Sequence, residues 1–225
     1  MIRGGTVVEV GHFSDTGGLD LHPHEILQKD LTIHGSLGYP PVTFKEALAI
    51  LGCARLTALA GARVLVGGLG MGFTLASSRK TLPATAVVTV AELIAEVVAW
   101  NRGPLGECAG RPLDDHRTRV HIGDVAELVA GSDNAFDAIL LDVDNGPEGL
   151  THVDNQRLYS LAGLRTLHRA LGPEGTLAIW SAGPDPQFVT RLKKTGFQVA
   201  VRSVRARPGK GSHHTIFLGK KGSVL

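Results

Sequence analysis

The chain has 225 residues, 43% of them apolar and 20% charged, with a formal net charge of +2. That length buries a real core as one domain, or as one domain with an appendage, and a charge so close to balance argues against a nucleic-acid partner. No stretch approaches the ~18 apolar residues of a membrane helix, the N-terminus lacks the apolar core of a signal peptide, and Cys53 and Cys108 form neither a CxxC pair nor a disulfide framework. The expectation is a cytoplasmic protein with two idle thiols and no membrane contact.

The first segment reads as two strands, in "GGTVVEVGHF" and "KDLTIHGSLGY", joined by "SDTGGLDLHPHEILQ". Two strands without a parent sheet expose unpaired edges, so they are expected to pair with a sheet edge or a second chain, as in a homodimer. Pro40-Pro41 marks a boundary, because neither residue suits a helix interior and Tyr39 is pushed to extended geometry. The expected division is an appendage over 1–41 and a main domain over 42–225. "VTFKEALAILGCARLTALAG" then reads as one helix or two. From residue 62 the pattern is regular. Apolar β-rich runs fall at 63–66, 86–91, 119–122, 138–142, 176–180, 197–204 and 214–218, with helix-compatible stretches at 72–80, 93–101, 125–130, 155–171 and 186–195. Alternation of strand and helix predicts a mostly parallel α/β sheet covered on both faces. The last two strands follow one another across "RPGKGS", which predicts an antiparallel hairpin at one edge. The basic run 202–210 reads as a solvated loop rather than a polyanion site.

The chemistry gathers at the ends of these strands. "VLVGGLGMGFTLA" places Gly67, Gly68, Gly70 and Gly72 between a buried strand and a helix. Such a turn brings main-chain N–H groups and a helix N-terminus against a ligand, though nicotinamide, flavin and S-adenosylmethionine proteins all share it. Glu92 follows the second strand, where a carboxylate accepts ribose hydroxyls or sits favourably at a helix start. Asp124 follows the third, placed to meet an adenine amino group or to cap the next helix. The fourth strand ends "DAILLDVDNGP". Asp142 and Asp144 leave a buried strand there, and a bland turn explains Asp142 poorly. His22 and His24 form an H-x-H without a third ligand, which reads as a surface loop, so no metal is expected. His213 and His214 read as edge-strand residues.

Together, "VLVGGLGMGFTLA", "VVTVAELIAEVVAWNRGPLG", "RVHIGDVAELV", "FDAILLDVDNGP", "NQRLYSLAGL" and "LGPEGTLAIWSA" resemble the spermidine-synthase-like branch of the class I S-adenosylmethionine-dependent methyltransferase fold. The resemblance covers about residues 45 to 220. It implies a seven-stranded Rossmann-like sheet with a C-terminal hairpin, and a cytoplasmic transferase acting on a small, amine-bearing acceptor. Gly67 to Gly72 would then wrap the amino-acid part of the cofactor, Glu92 hold the ribose and Asp124 meet the adenine. Asp142 and, more loosely, Asp144 match the aspartate pair that deprotonates and anchors an amine; Tyr159 is a candidate substrate contact. Spermidine synthases carry an acid in their "GGGDG" loop, and this chain has "GGLGMG". Nothing before residue 45 resembles their N-terminal β-domain. The donor is therefore left between S-adenosylmethionine and its decarboxylated form, and the transferred group between methyl and alkyl.

Residues 1 to about 45 resemble instead a piece of the cofactor domain of zinc-type (medium-chain) alcohol dehydrogenases, without that family's glycine fingerprint or zinc-ligating cysteines. Two further readings stay open at this level. One is a nicotinamide-dependent oxidoreductase, and the other a cofactor-binding module without catalysis.

Overall fold

The computed structural model describes residues 6–10, 32–36, 54–143, 147, 156–207 and 210–222. The chain divides into two units, Met1–Pro40 and Pro41–Leu225. In the first, β1 (Thr6–Val10) and β2 (Thr32–Ser36) pair with each other in parallel, from Thr6 opposite Thr32 to Val10 opposite Ser36. The partner that the sequence left open for these strands is thus at least in part their own neighbour.

The second unit begins its described part with a short helix, α1 (Ala54–Ala58), and continues with β3 (Arg63–Gly67), α2 (Phe73–Thr81), β4 (Val87–Glu92) and α3 (Ala95–Arg102). Two 3-10 turns lead to β5 (Thr118–Ile122), α4 (Val125–Ala130) and β6 (Phe136–Leu141). Then come α5 (Gln156–Tyr159), α6 (Leu161–Ala170), β7 (Leu171–Ser181), α7 (Pro186–Lys194), β8 (Phe197–Arg207) and β9 (Lys210–Lys221). The seven strands from β3 onward form one sheet in the order β5-β4-β3-β6-β7-β9-β8. Strands β3 to β7 are parallel, and β9 runs antiparallel to both β7 and β8. This is the predicted mostly parallel sheet with its C-terminal hairpin.

The hydrophobic alternation explains why the sheet is covered twice. Leu65, Ile139, Leu141, Leu177, Ile179 and Phe217 join Leu164, Leu167, Phe188 and Leu192 in one core. The alternate positions Val64, Val66, Val88, Val90, Ala138 and Leu140 are just as buried. Each such side chain contributes ~1.5–3 kcal/mol on leaving water, so the sheet is a rigid platform for whatever its loops carry. Several boundaries differ from the sequence expectation: β8 (Phe197–Arg207) and β9 (Lys210–Lys221) reach further than expected, so most of the basic run read as a loop lies in strand. The helical stretch 155–171 breaks at Ser160, whose hydroxyl accepts from Gly163 N at 3.1 Å and so starts α6 as its N-cap. β7 begins at Leu171 rather than near 176, with a register shift against β6 between Phe136 and Ala138. Glu174, at φ 58, carries the chain through "GPEG" in a left-handed conformation.

Strand order matters for function. The chain winds outward from β3 through β4 to β5, then returns to the other side of β3 with β6. Loops leaving the carboxyl ends of β3 and β6 therefore diverge and open a crevice, the place where open α/β sheets bind ligands. Helix α2 is held at its far end by Arg79, a buried guanidinium that donates to Asp115 Oδ1 at 3.0 Å and to Ala86 O at 3.3 Å. Arg117 grips the same carboxylate through both its oxygens, at 2.9 and 2.7 Å. With that end fixed, the α2 N-terminus is held at the crevice.

Candidate active site

The glycine turn crosses directly over the end of β6. Gly67 O accepts from Asp142 N, and Gly68 N donates to Ala91 O, each at 2.8 Å. Gly68 has φ +88, and a Cβ there would stand 2.3 Å from Asp142 O. No side chain fits between two backbones that close. Gly70 is different. Its φ of +49 is also left-handed, but a Cβ there would meet nothing within 4 Å. The turn is thus closed against the sheet at Gly68 and open at Gly70. Gly72 ends it as the N-cap of α2, with no side-chain cap on that helix.

A cavity of about 260 Å³ opens beside the turn, lined by Gly68, Gly70, Ala91, Glu92, Leu93, Val97, Gly123, Asp124, Val125, Asp142 and Val143. It brings together five of the residues singled out from the sequence: Gly68, Gly70, Glu92, Asp124 and Asp142. Gly67 and Gly72 frame the turn without lining the cavity. No lysine or arginine is among the described lining residues.

Each carboxylate is held in place by the protein itself. Glu92 is buried and accepts Leu69 N on Oε2 at 2.9 Å and Ile94 N on Oε1 at 3.0 Å. It therefore ties the glycine turn to the end of β4, a bracing role beyond the ribose and helix-start roles its position suggested. Asp124 is the N-cap of α4, its Oδ1 accepting from Ala126 N at 2.7 Å, while it also faces the cavity. The two alternatives weighed for it from sequence are compatible in one geometry. Asp142 receives the Thr74 hydroxyl on Oδ2 at 2.7 Å. The residue is exposed at the crevice, though its carboxyl group lies deep among neighbouring atoms. This burial pushes its carboxyl above the ordinary value near 3.8, and the Thr74 hydrogen bond works against the rise.

Other candidates lie elsewhere. Tyr159 is buried in the core, edge-on to Phe188 with ring centroids 5.9 Å apart, and does not line the cavity. His214 is buried beside Trp180, whereas His213 is exposed with its Nδ1 3.0 Å from Ser203 Oγ. Cys108 is a free, exposed thiol. Asp144, His22, His24 and Cys53 lie outside the described residues. Among the described residues, no group of three or more His, Cys, Asp or Glu could hold a metal ion, and no helix is long and apolar enough to cross a membrane.

Sequence reasoning missed two side chains that shape the turn. Thr74 is one. Asn101, buried on α3, is the other: its Nδ2 donates to Gly70 O at 2.7 Å and to Val97 O at 2.9 Å. A signal was present in "VVAWNR", where Asn101 lies four residues from Val97 and so shares its helix face.

The architecture is the class I S-adenosylmethionine-dependent methyltransferase fold in its spermidine-synthase-like form. Spermidine synthase from Thermotoga maritima superimposes with a TM-score of 0.61 at 20% identity, over 80% of this chain and 61% of that one. A spermidine synthase in complex with the transition state analogue AdoDATO does so with a TM-score of 0.61 at 20% identity, over 80% and 60%. The Burkholderia thailandensis 1,6-didemethyltoxoflavin-N1-methyltransferase, with bound 1,6-didemethyltoxoflavin and S-adenosylhomocysteine, gives 0.55 at 24% identity, over 81% and 80%. The chain thus spans about three-fifths of the length of these spermidine synthases. No family model and no curated protein matches the sequence. The dehydrogenase resemblance of the first 45 residues finds no support in these neighbours.

Proposed function

We propose that this chain is a transferase that binds S-adenosylmethionine or its decarboxylated form and moves a methyl or alkyl group to a small amine-bearing acceptor. The observation that carries the reading is the charge of the cavity. Glu92, Asp124 and Asp142 line it, with no lysine or arginine among the described lining residues. A sulfonium cofactor brings positive charge to that surface. A nicotinamide dinucleotide would bring two phosphate charges against three carboxylates, which disfavours the oxidoreductase reading.

The residues fit an adenosyl sulfonium. Gly70 leaves a cradle that any side chain would fill, and the uncapped first turn of α2 presents N–H groups. Glu92 and Asp124 each have oxygen lone pairs beyond those given to the backbone, suited to ribose hydroxyls and an adenine amino group. Leu93, Val97 and Val125 supply apolar surface for a flat base. When bound, the sulfonium supplies an electrophilic carbon, whose bond to sulfur breaks as the bond to the acceptor nitrogen forms. Asp142 has the protein's part in the proton balance. An ammonium has no lone pair, so one proton must leave before nitrogen attacks, and Oδ1 of Asp142 is the oxygen not engaged by Thr74. A carboxyl raised by burial is a stronger base than an exposed one once ionised.

Calorimetric titration with S-adenosylhomocysteine, and separately with NAD, tests the assignment. Binding of the first and not the second is expected, and the reverse result overturns it. A screen of small amines with S-adenosylmethionine and its decarboxylated form then separates a transferase from a module without catalysis.

A further inference from the structure

Helix α2 carries three hydroxyl groups whose bonds are defined, and one behaves unlike the others. Ser78 donates to Thr74 O at 2.8 Å, and Thr81 donates to Ser77 O at 2.9 Å. Both make the local bond to the carbonyl four residues back that helix hydroxyls ordinarily make. Thr74 does not. The carbonyl four back from it belongs to Gly70 and is taken by Asn101 Nδ2. Its hydroxyl instead crosses from the first turn of α2 to the end of β6, 68 residues away in sequence, and donates to Asp142 Oδ2 at 2.7 Å.

We propose that Thr74 is the positioning residue of Asp142: its hydroxyl holds Oδ2 and presents Oδ1 to the cavity. The reading of Oδ1 as proton acceptor rests on the function proposed above; the hold on Oδ2 does not. A short hydroxyl–carboxylate bond is among the stronger neutral-to-ion bonds, and it fixes the rotation of a side chain that otherwise turns freely about its last bond.

The bond also bears on charge. Among the described residues, the titratable groups lining the cavity with Asp142 are Glu92 from the end of β4 and Asp124 from the N-cap of α4. The first turn of α2 contains no acid, and no cation lines the cavity among the described residues. Burial favours the neutral acid. The Thr74 hydroxyl favours the ion, as does the positive end of the α2 dipole. Removing the hydroxyl therefore leaves a carboxyl that binds its proton more tightly and whose oxygens are no longer distinguished.

The test needs no acceptor and no cofactor. Protein labelled with ¹³C at the aspartate carboxyl carbons is titrated by NMR in the ligand-free state, and Asp142→Asn assigns the resonance. Thr74→Val should raise the proton affinity of Asp142 about tenfold, which moves its midpoint by about one pH unit upward. Thr74→Ser, which keeps the hydroxyl, should restore the parent value; Thr74→Ala replaces the valine variant if that one folds poorly. An Asp142 midpoint unchanged between the serine variant and either hydroxyl-free variant overturns the proposal. The pH dependence of S-adenosylmethionine affinity, measured alongside, should move with the NMR midpoint. If the parent protein binds no adenosyl cofactor, the proposed function falls while the titration still decides the role of Thr74.

Discussion

Replacing Glu92 by glutamine tests whether one carboxylate serves both the fold and the ligand. Glu92 accepts two main-chain N–H groups, one on each oxygen. Glutamine has a single acceptor oxygen, so its NH₂ group must face one of them. Ile94 is about half exposed and can pass its N–H to water. Leu69 is 4% exposed, so its N–H has no such recourse. If the amide oxygen turns to Leu69, the loss is one solvent-replaceable bond to an ion, and stability falls by about 1 kcal/mol. If it turns to Ile94, a buried donor is orphaned and the cost is ~1–3 kcal/mol. Either way the glycine turn loosens and the charge toward the ligand is gone. We expect Glu92→Gln to unfold at lower denaturant with an unchanged slope, and to weaken S-adenosylhomocysteine binding at least about tenfold, or ~1.4 kcal/mol. Glu92→Ala should lose more on both measures. Urea unfolding at the parent midpoint would show that the carboxylate does not brace the turn. Unchanged calorimetric affinity in the folded variant would remove Glu92 from the binding site.

Gly70→Val should harm binding far more than stability: the left-handed backbone costs about 1–2 kcal/mol for a side chain, but a Cβ there meets nothing in the free protein and fills the open face of the turn. Normal affinity would make the turn structural only. Asp142→Asn should raise the melting temperature at neutral pH and close that gap near pH 4. The folded carboxyl lies above its ordinary value near 3.8, so the stability it contributes is full below that value and is lost as pH rises through the folded one. Transfer to an amine should fall ~10²–10⁴-fold in the same variant; a rate within a few-fold of the parent in single turnover refutes the base role. Deleting residues 1–40 should leave cofactor affinity unchanged in a folded protein, because the described lining residues all lie between Gly68 and Val143, and lost affinity would show that the first unit takes part.

What could be read from the sequence depended on how local its cause was. Strands β3, β4 and β6 were legible because runs such as Val64-Leu65-Val66 and Ile139-Leu140-Leu141 are apolar at every position, as both-face burial requires. Strand β5 was legible despite its mixed burial because turn residues bound it. The start of β7 was not, since Gly172 and Pro173 signal a turn and the strand there depends on pairing of Leu171 with Phe136. The site followed the same division. Asp124 was readable as a cap because capping acts over two residues. Thr74 was not readable as a site residue, because its partner Asp142 lies 68 residues away, and for Asn101 the sequence could show the helix face shared with Val97 but not the bond to Gly70, 31 residues away. Tyr159 illustrates the opposite difficulty: a tyrosine near the cleft end of a chain segment and a tyrosine in a core share the same local pattern, and only the packing on Phe188 separates them.

The three carboxylates of the cavity link these observations to function. Carboxylates that share a cavity are costly without a cation beside them, and none lines it among the described residues, yet each one is given a hydrogen-bond donor: Leu69 and Ile94 N–H for Glu92, Ala126 N–H for Asp124, the Thr74 hydroxyl for Asp142. Those donors come from α2, α4 and the strand ends, the elements whose rigidity the sheet guarantees. The protein thus holds negative charge in a fixed pattern before any ligand arrives, and a cationic ligand meets oriented acceptors rather than having to order them. Such a ligand adds charge attraction to that pattern, so it should stabilise the folded protein more at low ionic strength than at high. Glu92 and Asp142 would account for most of that difference, since they are the two whose carboxylates also hold the glycine turn and the α2 start in place.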